Sequence, residues 1–337
     1  QDMSTRGRQL AKLLIRILIT AGLLVWVFGQ VDLAQFTRTV KAARWQFLIA
    51  SWIWTAFLFW MRSFKMRLVL KQQGCDVGVG TLFSATTVTA FYSLILPGML
   101  STGVKWYILK KSTGRGASVF SSMLYNQLLT MVIMTVFGLG ALIITNPTSM
   151  FLPDAPSQWL LPAICAFLLA AVVSVALLLL NVRTGDMFIA MLKRVLKPFG
   201  TTVHEKGKDV LDQIAAFQTA GAGFHLGITT LTIADTLVGG VIGYILSAKA
   251  ANIVAPVGLF VWLCAIIYVL GRLPISIANL GVRESLLVSL LAVYGVDKSA
   301  ALLMSMILFS RLVVMAIVGA MYQISWTVGE RKGGPAG

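Results

Sequence analysis

Apolar residues fall along the chain in long blocks divided by short polar breaks. Blocks near or above the spanning length of about 20 residues occupy residues 10–29, 45–61, 119–145, 159–181, 222–247 and 300–327. None shows the short alternating pattern of a membrane barrel strand, and a helix satisfies its own backbone in hydrocarbon, so each is predicted to be a spanning helix. Two further apolar stretches, 82–109 and 255–295, are broken in the middle by "LPGMLSTG" and "GRLPISIANLG". Pro97, Gly98 and Pro274 end helices there.

Charge then orients the blocks. Lys and Arg cluster at 6–16, 62–71, 105–115, 183–208 and 331–332, while 144–157 carries neither. The positive-inside rule places the basic clusters in the cytoplasm and 144–157 outside. Arg38, Lys41 and Arg44 disagree with this map. They fall in a stretch where Leu33, Phe36 and Val40 have helical spacing, which predicts an interfacial amphipathic helix. The segment "KGKDVLDQIAAFQ" predicts a second one, on the cytoplasmic side, through Val210, Leu211, Ile214 and Phe217.

Basic loops on both sides of 82–109 put its two ends in the cytoplasm, so it enters and returns. The break in 255–295 predicts the same behaviour. The two breaks read alike: Leu96-Pro97, five residues, Gly103-Val104-Lys105, against Leu273-Pro274, six residues, Gly281-Val282-Arg283. The chain parses as span, span, hairpin, span, twice over. Three crossings per unit is odd, so the second copy is inverted relative to the first, as in many transporters whose interrupted helices mark the substrate site.

The expected fold is therefore an all-α polytopic membrane protein, an inverted repeat with six full crossings and two re-entrant hairpins. A cytoplasmic tail (1–9, with 1–2 a cloning remnant) precedes a first repeat over 10–145, with its hairpin at 82–109. An external loop (146–158) leads to a second repeat over 159–327, with a cytoplasmic linker at 183–220 and a hairpin at 255–295. A second cytoplasmic tail covers 328–337. The hairpin tips are assigned to Pro97, Gly98, Gly103, Pro274 and Gly281.

Composition agrees with a bilayer environment. Hydrophobic residues make up 58% and charged residues 12%, with a mean hydropathy of +0.85, against roughly a quarter charged in soluble domains. The net charge of +16 sits in short loops and not on one soluble face, which argues against a nucleic-acid partner. Cys75, Cys165 and Cys264 are scattered, without disulfide or metal spacing, and His204 and His225 stand alone. No metal or cofactor is expected, and no nucleophile elbow or phosphate loop is present. The first apolar run reaches spanning length without a cleavage site, so no signal peptide is expected.

Candidate chemistry follows from charge at membrane depth, which is costly and faces a protein interior or a watery cavity. Arg283 and Glu284 lie in the second break; adjacent on a helix, they point about 100° apart and need not pair with each other. Arg283 either binds a lipid phosphate, with Glu284 fixing its position, or locks the hairpin through an ion pair. Lys105 holds the mirror position, to meet a headgroup or to snorkel to the interface. Arg272 and Asn279 belong to the second break and are assigned to substrate binding with them. Asp235 and Arg311 fall inside different spans and are expected to meet each other or Arg283, as structural pairs or as coupling groups. Asn126 and Gln127 are expected to join helices, and "VGGVIGY" to let helices pack closely.

"LPGMLSTGVKWYILKK", followed by "PISIANLGVRESLLVSLLAVYGVDKSAALLMSMILFSRL", resembles the lysylphosphatidylglycerol synthase transmembrane family. The sharpest element is Gly281-Val282-Arg283-Glu284 ahead of an apolar helix and "YGVDKSAA". The resemblance implies a flippase-like protein of a bacterial inner membrane with both termini cytoplasmic, similar to the membrane half of the multiple peptide resistance factor. That family's full activity resides in a further cytosolic domain that transfers lysine from tRNA, and here the chain stops at Gly337. The chain departs from the family's expected pattern at Lys105, where arginine is expected, and at Asn126-Gln127, where an acidic-basic pair is expected. The implied function is translocation of a phospholipid or polyprenyl-linked lipid between the two breaks. The rivals are a membrane transferase acting on a lipid-linked substrate and an accessory subunit that delivers lipid. A homo-oligomer or a separate lipid-modifying enzyme is left open as a protein partner.

Overall fold

In the computed structural model the described residues are 33–96, 98–151, 157–180, 212–213, 217, 220–271 and 280–332. The expected first span, most of the cytoplasmic linker, and Pro97, Arg272, Pro274 and Asn279 lie outside them. The described chain is helical. A short helix α1 (Leu33–Lys41) leads into α2 (Trp45–Gln72), a pair α3 (Val79–Ile95) and α4 (Gly98–Thr113), and α5 (Gly116–Thr145). After α6 (Leu160–Leu180) come α7 (Ala222–Ala250), a pair α8 (Val257–Leu270) and α9 (Val282–Val293), and α10 (Lys298–Lys332).

Four of these, α2, α5, α7 and α10, are long and apolar enough to cross a membrane. In α2 the pattern is inside out relative to a soluble helix. Ile53, Phe57, Trp60 and Phe64 form an exposed stripe, with Phe57–Trp60 and Trp60–Phe64 ring centroids 6.2 and 6.1 Å apart. Ser51, Thr55, Ser63 and Lys65 are buried on the opposite side. Such a stripe is a natural lipid-facing surface, and the polar face belongs inside. The helix runs eleven residues past the predicted end of its apolar block at residue 61, which keeps Arg62 and Lys65 in the same helix as that block.

The paired helices α3 and α4 pack on each other. At 17 and 16 residues each is shorter than a crossing. The chain turns at Leu96, whose backbone is extended, and α4 starts at Gly98. Gly103 therefore lies inside α4 and not at the tip assigned to it: helix resumes at once after the proline, where nothing bars it.

Packing between the two halves is reciprocal. The first limb of the first pair, α3, lies on the last helix of the second half, α10; the first limb of the second pair, α8, lies on the last helix of the first half, α5. Both contacts depend on glycine. A Cβ on Gly319 would sit 2.0 Å from the Thr87 carbonyl oxygen, and one on Gly138 would sit 2.5 Å from Ala265 Cβ. At those points helix meets helix at the closest approach a backbone allows.

The predicted amphipathic helix α1 is present, but it rests on protein. Phe36 and Val40 pack against the main core, Gln35 donates to Asp297, and Asn252 donates to the Ala42 carbonyl. Phe217, from the end of the second predicted amphipathic segment, is buried against Val69 and Ile228 and stacks on Tyr125 at 4.4 Å. The three cysteines are free and buried.

Candidate functional site

The polar side chains of α2 organise the interior. Thr55, Arg62 and Lys65 recur at seven- and three-residue steps, so they share one face of a helix and extend over about 15 Å of it. Opposite them, α7 opens into a π turn over Ile233–Val238 that carries Asp235. The widened turn is followed by Gly239, where a Cβ would lie 2.4 Å from Leu58 of α2. The two helices thus close tightly just where the acid faces the bases.

Asp235 is fully buried and ringed by donors. Lys65 Nζ lies 3.1 Å from Oδ1 and 3.0 Å from Oδ2, the Thr236 hydroxyl donates to Oδ1, and Arg62 Nε stands 3.8 Å from Oδ2. Lys65 Nζ also donates to Thr232 Oγ1 at 3.3 Å. Arg62 keeps 40% of its side chain exposed while Lys65 keeps 3%, so the cluster opens outward at Arg62.

Asp235 and Arg311 were expected to find each other or Arg283, and the structure gives them other partners. Arg311 Nε donates to Thr55 Oγ1 at 2.6 Å. Its guanidinium lies on the bare backbone of Gly243, where a Cβ would come within 2.3 Å of the nitrogens. The reason is the length of α2: Arg62 and Lys65, read from charge as cytoplasmic loop residues, reach Asp235 first. Their three-residue spacing in front of a spanning acid was the signal available for finding them.

Glu284 and Arg283 do pair, although adjacent helix positions diverge. Gly281, at φ +83°, precedes α9, and its amide donates to Glu284 Oε2 at 2.7 Å. Glu284 folds back to cap its own helix, a role an acid at the third helical position performs well. Its other oxygen accepts from Arg283 and from Ser305 Oγ, the latter at 3.0 Å. Arg283 Nε donates to Ser305 at 3.0 Å, and its guanidinium lies 5.4 Å from the Phe309 ring centroid. The second break is thus tied to α10 by a closed network.

Lys105 is half-buried on α4 and comes into electrostatic range of Lys65 and Arg62. Arg62 is in range of Arg311, and Tyr244 is in range of both Arg311 and Arg283. Proximity thus links Lys105 to Lys65 and Arg62, Arg62 to Arg311 and, through Tyr244, Arg311 to Arg283. Among the described residues no carboxylate or hydrogen-bond acceptor holds Lys105.

Of the remaining predicted residues, Asn126 presents a buried Oδ1 that meets no donor among the described residues, and Gln127 is part-buried on α5. Arg272, Asn279, Pro97 and Pro274 lie outside the described residues. The glycine run on α7 serves helix packing: besides Gly239 and Gly243, a Cβ on Gly240 would touch Cys264 Sγ at 3.0 Å.

No curated protein and no solved structure matches the sequence. A family match covers residues 13–320, nearly all the helices described above, and by it the chain belongs to the lysylphosphatidylglycerol synthase TM region family.

Proposed function

We propose that the protein moves a lipid headgroup across the bilayer along the cation line between its two helix pairs, with the acyl or prenyl chains remaining in lipid. On this reading the halves 10–145 and 159–327 are inverted repeats, with six crossings, two re-entrant hairpins and both termini in the cytoplasm of a bacterial inner membrane. The reciprocal packing of α3 on α10 and α8 on α5 supports the repeat. The observation that carries the function is the cation surplus among the packed helices. Arg62 and Lys65 share the carboxylate of Asp235, while Lys105 and Arg311 are held by no carboxylate among the described residues. A surplus of buried positive charge is unfavourable unless an anion visits it.

A transferase would need a free acid or base beside these cations. Asp235 lies against two cations and Glu284 caps a helix, structural roles that favour the translocation reading. Transport on this account is passive or coupled to an ion gradient. The experiment is reconstitution in liposomes that carry a lipid with a fluorescent headgroup label on both leaflets, with quenching from outside. Loss of more than the outer-leaflet signal is expected, and a plateau equal to that of protein-free liposomes would overturn the proposal. Cysteine labelling at Ser112 tests the topology: modification from the cytoplasmic side is expected, and modification from outside contradicts it.

A further inference from the structure

We infer that Phe217 is a plug, which closes the Asp235–Lys65 cluster at the end of the molecule where α2 finishes and α5 and α7 begin. The inference rests on the translocation reading for its purpose, which is to shut a headgroup path on one side. It begins from register. Helices α2 and α7 run antiparallel: Leu58 meets Gly239, Lys65 meets Thr232 and Asp235, and Val69 packs with Ile228. Val69 lies one turn beyond Lys65, and Ile228 one turn before Thr232. Phe217 sits against Val69 and Ile228, only 2% exposed, and so fills the first layer beneath the buried ion pair.

Phe217 comes from the segment between α6 and α7, and the spanning helices build its seat. Its ring stacks on Tyr125 of α5 at 4.4 Å and lies 6.2 Å from the Phe224 ring of α7. Its carbonyl accepts from His225 Nε2 at 2.8 Å, so in the neutral ring Nδ1 is left to accept from the Tyr125 hydroxyl, 2.9 Å away. Four residues earlier, the Gln213 carbonyl accepts from Gln73 Nε2 at 2.9 Å, and Gln213 Oε1 accepts from the Ser118 hydroxyl at 3.3 Å. Side chains of α2, α5 and α7 thus converge on one short stretch and hold it at the mouth between them. An aromatic ring there keeps water from the ion pair, and charges attract more strongly where water is excluded. Toward Arg62, whose side chain is 40% exposed, the cluster is open. Open on one side and closed on the other is the arrangement that alternating access to a headgroup site requires.

The test uses the full chain in membrane vesicles. Cys75→Ala and Cys165→Ala remove two of the three free thiols, and Thr232→Cys places a reporter beside Lys65. Cys264, in the main core, stays as an internal control. A charged, membrane-impermeant methanethiosulfonate is supplied from each face in turn, and the modified peptides are followed by mass spectrometry. With Phe217 in place the reporter is expected to be protected from the face that bears Ser112. Phe217→Ala is expected to speed its modification from that face at least about tenfold, because local opening no longer limits access. Phe217→Leu should keep most of the protection, and Cys264 should stay unmodified throughout. His225→Ala removes the anchor of the Phe217 carbonyl; it is expected to act in the same direction by less, and it carries the test if Phe217→Ala fails to fold. An unchanged rate in the folded variants would overturn the inference, as would Cys264 gaining reactivity in step with the reporter, the mark of general loosening. Translocation separates the two proposals. Lipid crossing in a protein whose reporter ignores Phe217→Ala would overturn the plug and leave transport standing. A reporter opened by Phe217→Ala in a protein that moves no lipid would overturn transport and leave the plug.

Discussion

Each of the two helix pairs brings one cation toward the middle of the molecule, and the two are held differently. Arg283 arrives with its own counter-charge: Glu284 folds back onto Gly281, accepts from Arg283 and is steadied by Ser305. Lys105 arrives on α4 with no counter-charge among the described residues and comes into range of other cations. One break is electrostatically closed and the other open. The difference stems from the turns. After Gly281 an acid sits at the position that caps the new helix, whereas the first pair restarts helix at Gly98 and places Lys105 eighth in it, with no acid nearby in sequence. On the translocation proposal, the closed cation sets the shape and the open one does the binding.

The largest expected effect falls on the closed side. Glu284→Ala removes at once the partner of a buried guanidinium and the cap of α9, a loss of about 3–5 kcal/mol by the measure of broken buried pairs. The check is thermal unfolding in detergent together with the yield of monodisperse protein; wild-type stability would break the comparison. Asp235→Asn is expected to destabilise on a similar scale by stranding Lys65, and Asp235→Asn/Lys65→Met to recover much of the loss. A double variant no more stable than Asp235→Asn would contradict the pairing. Gly243→Ala is smaller, about 1–3 kcal/mol, because the new methyl displaces the Arg311 guanidinium. Its unfolding midpoint should fall, and Arg311→Ala on the same background should remove the clash. Lys105→Ala is the smallest: with no partner among the described residues to strand, stability should stay within about 1 kcal/mol of wild type, and a larger fall would show that the open side is closed after all.

The helical, membrane-spanning character of the chain was legible because block length and the missing alternation leave one solution in lipid. The second break was legible in part. Gly281-Val282-Arg283-Glu284 announced a capped helix start, but helix angles alone could not show that a long arginine and a back-folded glutamate would meet at Ser305, which lies twenty-one residues beyond Glu284. The Asp235 site was hidden by a boundary. Charge was used to mark where α2 leaves the bilayer, and that rule assigns the basic residues 62–71 to the cytoplasm. Arg62 and Lys65 instead turn inward, because an acid on α7 makes a buried lysine tolerable. The likeness of the two breaks was also overdrawn at Gly103, which matches Gly281 in sequence and lies inside a helix.

The central claim, that a lipid headgroup passes along the open cations, is tested most directly by translocation in liposomes with Lys105→Gln beside wild type, each normalised to monodisperse protein. The account predicts that wild type moves labelled lipid between leaflets while Lys105→Gln, folded to the same extent, loses most of that rate. A folded Lys105→Gln protein that moves lipid as fast as wild type would contradict it.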